Sequence, residues 1–190
     1  MSGEATSSEV FLAALGLQDF CRERGWPFCF IGGVALKRGA VPRFTSDADM
    51  TLLTRFVLDE ECIAGLLRRF SARIAQAAAF ATQARVLLLK HENGVDLDVA
   101  LAAVDFEGRS IVRASAWKAR PGVELFTCSA EDLIVQKAFA ARLKDWADVE
   151  SILAGQRERL NLDQIRSELT PLAELKEDAT IVPRREKSLK

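Results

Sequence analysis

The 190-residue chain carries 26 basic and 27 acidic side chains, a net charge of −1 with histidine neutral, and is 49% apolar and 28% charged. That balance excludes an intrinsically disordered chain and a globally basic nucleic-acid coat protein, while leaving room for a local basic groove. No uncharged apolar run approaches the roughly 18 residues of a membrane-spanning helix.

The amino terminus has no basic stretch ahead of its apolar residues and carries Glu4 and Glu9, so it does not read as a signal peptide. Ser7-Ser8-Glu9 can cap a first helix running to about Arg24, with Phe11, Leu12, Leu15 and Phe20 on its apolar face. Gly25-Trp26-Pro27 stops it. The short apolar strand 28–31 follows, and Gly32-Gly33 breaks it and opens a helical turn over residues 34–38. A loop over 39–45 leads into a second strand, 47–53, with the sequence D-A-D-M-T-L-L. A long helix is expected over 59–79. Strands at 85–90 and 95–101 flank Glu92-Asn93-Gly94, a hairpin signal. The pattern then predicts a short helix over 109–117 and a last strand over 123–126. Ser129 with Asp132 starts a helix reaching about Leu143. A second helix runs over 146–153 to a stop at Gly155, and Asn161 caps a third to about Leu175. The fold class is α/β (α+β), a mixed sheet with a C-terminal helical bundle. The expected organisation is a core over 1–127, a helical cap packed on it over 128–176, and a flexible basic tail over 177–190.

The four cysteines (Cys21, Cys29, Cys62, Cys128) form no C-x-x-C pair, and with His91 as the single histidine they make a poor zinc set. They read as buried free thiols of a cytoplasmic protein. A lone histidine also weakens nucleophile–histidine catalysis, so the chemistry should rest on carboxylates and a metal. Asp47 and Asp49 stand two apart on a predicted strand and therefore share a face. On their own they read equally as a solvated edge. Asp96 and Asp98 repeat the spacing on another strand, V-D-L-D-V-A-L. If the two strands are neighbours, three or four carboxylates converge into a site for a hard divalent cation. Gly32-Gly33 lets backbone approach a bulky anion, and the loop Arg43-Phe44-Thr45-Ser46 between the glycines and the acids is basic and hydroxyl-bearing.

The run G-G-x-A-L…R-x-T-x-D-x-D…D-x-D resembles the nucleotidyltransferase superfamily that includes DNA polymerase β. It looks most like minimal nucleotidyltransferases and relatives of the toxin component of the abortive-infection AbiE system. Asp132-Leu133 with Lys137, then Arg142 and Lys144-Asp145 with Asp148, looks like the D-L-x-x-x-K…R…K-D-x-x-D signature of those relatives. The resemblance covers roughly residues 28–155. It implies that Gly32, Gly33, Arg43, Thr45 and Ser46 hold a nucleoside triphosphate, with Lys137 and Asp148 reaching toward it. It also implies that Asp47 and Asp49 ligate Mg²⁺ or Mn²⁺, with Asp98 or Asp96 as the third acid, Asp98 preferred. The implied reaction is in-line transfer of a nucleoside monophosphate to an acceptor hydroxyl. The expected acceptor is tRNA or another RNA, in a toxin paired with an antitoxin protein. An aminoglycoside-type small-molecule nucleotidyltransferase is the alternative, although the helical annex seems short for it. A non-catalytic nucleotide- or partner-binding module is the third reading.

Several residues carry plainer readings. Lys137 on an apolar helix reads as a snorkelling lysine, and Asp145 and Asp148 as helix N-terminal charges. Arg68, Arg69 and Arg73 read as a solvated helix face, His91 as a surface residue, and Trp26, Trp117 and Trp146 as packing residues.

Overall fold

Thr6 starts the first helix: its hydroxyl accepts the Glu9 N–H, and Glu9 Oε2 accepts the Thr6 N–H at 2.6 Å. This capping box lies one residue ahead of the expected serines. The computed structural model describes residues 6–39 and 44–176. Helix α1 (Ser7–Glu23) buries Val10, Ala13, Ala14, Leu17 and Cys21. Leu12, expected on the apolar face, is 47% exposed, because the buried stripe is offset by one residue toward the alanines.

Seven strands form one mixed sheet: β1 (Phe28–Phe30), β2 (Asp47–Leu52), β3 (Ser71–Ala72), β4 (Val86–Lys90), β5 (Asp96–Leu101), β6 (Ser115–Arg120) and β7 (Val123–Thr127). Their order is β3-β4-β5-β2-β1-β7-β6. The pairs β2–β5 and β1–β7 are parallel and the others antiparallel. Alternation along the central strands sends Ala48, Met50, Leu52, Leu87, Leu89, Leu97, Val99 and Leu101 into one core with α1, α3 (Asp59–Arg69) and α4 (Ala77–Ala84). Each leucine so buried contributes about 1.5–3 kcal/mol. The same alternation turns Asp47, Asp49, Asp96 and Asp98 to the opposite face.

Two expected helices are wrong. The one over 59–79 breaks at Phe70, whose ring is buried and meets Phe20 edge-on at 5.7 Å. Extended backbone there lets Ser71 and Ala72 pair with β4, and α4 begins only at Ala77. Sheet pairing outweighs the local helical composition. The helix expected over 109–117 is instead α5 (Asp105–Arg113), started by Glu107 Oε2 accepting the Ala103 and Val104 N–H groups. Trp117 lies on β6, which turns back into β7 through Pro121-Gly122, with Gly122 at φ +78°. That Pro-Gly pair was the available hairpin signal.

The chain divides into two compact units, Met1–Val34 with Arg43–Cys128, and Ala35–Pro42 with Ser129–Lys190. The sheet belongs to the first, and the boundary falls inside the short helix α2 (Gly32–Leu36). The second unit holds α6 (Ala130–Ala140), α7 (Leu143–Gln156) and α8 (Leu162–Leu175), with α6 packed on both others. Ser129 and Asn161 cap α6 and α8 as expected, whereas Gly155 lies within α7 rather than ending it. The tail 177–190 lies outside the described residues.

Lys137 does not snorkel. Its side chain is buried, with Nζ 3.1 Å from Asp145 Oδ1 and 2.8 Å from Asp148 Oδ2. Asp145 also takes Arg142 Nε at 2.6 Å and accepts the Arg142 N–H, so it both caps α7 and neutralises a buried cation. Burial would raise the Asp145 pKa, but hydrogen bonds from Arg142 and Lys137, reinforced by both charges, hold it below the ordinary carboxylate value. A carboxyl depressed in the folded state stabilises above its unfolded pKa, and that contribution is lost as pH falls through the folded value. Urea midpoints should therefore be flat down to about pH 5 and decline below about pH 4. An acid limb unchanged by Lys137→Met would contradict this account.

Candidate active site

The glycine turn and the carboxylates are built as one piece. Antiparallel pairing continues past β1 through the Ile31 N–H to the Asp49 carbonyl at 2.9 Å, so the chain reaches Gly32 directly beside Asp49. Gly32 has φ +54°, and a Cβ there would lie 1.9 Å from Asp49 Oδ2. A Cβ on Gly33 would lie 2.0 Å from Thr45 Oγ1. Thr45 is buried and donates to Asp47 Oδ1 at 3.0 Å. The two glycines thus leave room for Asp49 and for Thr45, the hydroxyl that supports Asp47. Ser46 is exposed, and Arg43 lies outside the described residues. Gly32→Ala should displace Asp49 and destabilise by at least the roughly 1–2 kcal/mol of a left-handed non-glycine residue. Gly33→Ala would also bring its Cβ within 2.7 Å of Thr45 Cβ, a contact that no side-chain rotation relieves, so it should shift the buried Thr45 backbone and lower the urea midpoint as well.

In the parallel β2–β5 pair, Asp47 stands opposite Asp96 and Asp49 opposite Asp98. Neighbouring strands lie about 4.8 Å apart, so four carboxylates share one small patch of sheet. Such a patch needs cations. Arg73 supplies one, with Nη1 2.7 Å from Asp96 Oδ2 and Nη2 2.7 Å from Asp98 Oδ1. Lys90 supplies another, 2.5 Å from Asp96 Oδ1. Arg73 is therefore not part of a solvated helix face: it follows β3 and turns to the acids. The Lys90–Asp96 pair was legible in K-H-E-N-G-V-D, since a hairpin at Asn-Gly sets those residues opposite each other. Arg73 was not, because its place depends on the break at Phe70.

The two later acids differ in environment. Burial acts to raise the Asp96 pKa, but hydrogen bonds and charge from Lys90 and Arg73 outweigh it and hold Asp96 low. Burial raises Asp98, and repulsion from Asp47 and Asp96 adds to it against the pull of Arg73. Asp98 Oδ1 is buried and has no well-aligned hydrogen bond, despite the nearby Arg73 guanidinium. Among the described residues no three acids stand close enough together to hold a metal ion as they are. The donor set itself, carboxylate oxygens only, suits Mg²⁺ or Mn²⁺.

No protein-family model matches the chain, and no curated protein matches it in sequence. Solved structures do match. An antigenic nucleotidyltransferase-like protein from Paracoccidioides brasiliensis aligns over 98% of this chain and 94% of its own, with TM-score 0.56 and 14% identity. The antibiotic-resistance factor ANT(2'')-Ia aligns over 96% and 99%, with TM-score 0.56 and 16% identity. Its complex with adenylyl-2''-tobramycin aligns over 90% and 99%, with TM-score 0.53. The fold is that of the nucleotidyltransferases.

Within this nucleotidyltransferase fold, Gly32, Gly33, Thr45, Ser46 and the four acids belong to the first unit, while Lys137 and Asp148 belong to the second and pair with each other there. The plainer residues fall as follows. Trp26 and Trp146 are buried, and Trp117 packs edge-on to Phe11 at 5.8 Å. All four cysteines are buried free thiols, with Cys21 and Cys62 pushed up to about 12 chiefly by burial. His91 is half-buried, tilted against Phe70, rather than a surface residue. Among the described residues no helix is long and apolar enough to cross a membrane.

Proposed function

We propose that the protein is a metal-dependent nucleotidyltransferase that moves a nucleoside monophosphate, in the first instance from ATP, to a hydroxyl of a small-molecule acceptor. The observation that carries this reading is the register of β2 against β5, which sets Asp47 and Asp49 opposite Asp96 and Asp98 beside the Gly32-Gly33 turn. Asp47, Asp49 and Asp98 are the residues that would hold the cation. Arg73 pairs with both later acids, but Asp96 has Lys90 as well, which favours Asp98 as the third ligand. When bound, the ion neutralises triphosphate charge and lowers the pKa of the acceptor hydroxyl.

The residues themselves would position and move the proton. In the transfer, the acceptor oxygen bonds to the α-phosphorus, the bond to the β-phosphate oxygen breaks, and pyrophosphate leaves. Asp98, opposite Asp49 on the neighbouring strand, is placed to take the acceptor proton. Gly32 and Gly33, without side chains, let phosphate approach the backbone, and Ser46 offers an exposed hydroxyl. Arg43 stands two residues before Thr45 in the sequence, and Thr45 steadies Asp47.

A small acceptor is favoured because the likeness to ANT(2'')-Ia extends over nearly all of both chains. The match extends to 99% of a chain whose solved complex holds adenylyl-2''-tobramycin, which supports a small acceptor against the objection from a short annex. A cytoplasmic location accompanies a reaction that consumes nucleoside triphosphates.

The test is transfer from each α-labelled nucleoside triphosphate with Mg²⁺, offered hydroxylated antibiotics, total RNA and lysate protein, with Asp47→Asn as control. Label in a small molecule from wild type alone is the expected result. Label in RNA would instead support a toxin kept in check by an antitoxin. Tight nucleotide binding with no pyrophosphate release would leave a binding module.

A further inference from the structure

The acids occupy the amino-terminal halves of β2 and β5. At the carboxyl ends of the same strands the first unit holds a cavity of about 670 Å³, a size typical of small-ligand sites. Leu53, Ala102 and Val104 give it apolar walls. Four residues separate Asp49 from Leu53, about 13 Å along a strand, so this cavity is distinct from the acid cluster.

Among its described lining residues, Arg55, Arg109 and Arg113 bring guanidinium groups to it, together with the Asp105 carboxylate. Arg109 and Arg113 are one turn apart on α5 and share a face. Phe56 stands at the wall, 61% exposed, with the Arg85 guanidinium 4.4 Å from its ring centroid. Arg85 is itself fixed: it pairs with buried Asp59, donates to Thr54 Oγ1 at 3.2 Å, and reaches the Leu101 and Ala102 carbonyls at 3.3 Å. Arg55 and Phe56 hold successive left-handed conformations, φ 50° and 62°. Non-glycine residues take that shape where surrounding structure imposes it, as in ligand clamps.

We propose that this cavity is a second binding site, for a nucleotide unit whose base stacks on Phe56 and whose phosphate lies among Arg55, Arg109 and Arg113. An aromatic face beside guanidinium groups is the arrangement that binds unpaired bases together with their backbone. The nucleotide is either a free mononucleotide or one residue of a single-stranded RNA; the chemistry is shared.

The experiment is equilibrium binding by the full chain in EDTA, using AMP in one arm and a short fluorescein-labelled single-stranded oligoribonucleotide in the other. Asp49→Asn protein is carried in parallel to report any contribution from the acid cluster. Binding of either probe by wild type and Asp49→Asn alike is expected. Arg109→Gln with Arg113→Gln should weaken it about tenfold or more, and Phe56→Leu severalfold. For RNA, loss of two phosphate contacts should flatten the salt dependence by about 1.4 in log–log slope. Arg55→Gln, on an exposed loop, serves as an independent variant should the helix pair fail to fold. Binding of AMP alone identifies a free nucleotide, and binding of RNA alone identifies a strand. No binding, binding unchanged by these substitutions, loss with Asp49→Asn, or equal competition by inorganic phosphate would each overturn the proposal. Failure here leaves the transferase reading untouched, since metal is absent throughout.

Discussion

Asp49→Asn is expected to reduce nucleotidyl transfer by about 10³-fold, the loss of several kcal/mol of charge stabilisation at the phosphates. Asp98→Asn should fall at least as far, because it would remove both a ligand and the proton acceptor. Asp96→Asn should lose much less, since Lys90 neutralises that side chain beyond the Arg73 that both acids share. The check is the single-turnover rate of pyrophosphate release, alongside circular dichroism to establish that each variant is folded. Equal losses at positions 96 and 98 would remove the assignment of Asp98 as third ligand. The same reasoning gives Arg73 a defined part: it pairs with Asp98 Oδ1 and competes there with a cation, so Arg73→Gln should tighten Mn²⁺ binding to the protein without nucleotide.

Lys137→Met should be the most destabilising single change in the second unit, by about 3–5 kcal/mol. The reason is desolvation. Asp145 is fully buried and Asp148 nearly so, and both sit on the Lys137 ammonium. Deleting the cation leaves two carboxylates with less compensation in a low-dielectric setting, although Arg142 still serves Asp145 from a more exposed position. Asp148→Asn keeps one ion pair and should lose less. Urea unfolding followed through Trp146, buried in α7, in a background with Trp26→Phe and Trp117→Phe, reports this unit alone, which matters because a chain of two units need not unfold in one step. A loss below about 1 kcal/mol would place this triad among pairs that contribute little.

Spacing and local chemistry were enough for β1, β2, β4, β5 and β7, though not for β3 and β6, and for the Asn-Gly hairpin, the caps at Ser129 and Asn161, and the two D-x-D pairs, because each is a property of neighbouring residues. Alternation alone placed Asp47 with Asp49, and Asp96 with Asp98, on common faces. What it could not supply was that β2 and β5 are parallel neighbours in register, which depends on the order of strands distant in sequence. The break at Phe70 was hidden for a similar reason: residues 59–79 are rich in helix formers, and only β4 beside them makes extended backbone at Ser71 favourable. From that break follows the placing of Arg73 against Asp96 and Asp98. The Gly32-Gly33 pair was visible as a turn, but the need for glycine comes from Asp49 and Thr45 pressing against it. Lys137 likewise read as a surface lysine, because its partners Asp145 and Asp148 lie on the next helix and only folding brings α7 over it. Patterns held within a few residues are set by backbone periodicity. Charge pairing and close approach between elements are set by packing, and that is where the tertiary structure decided.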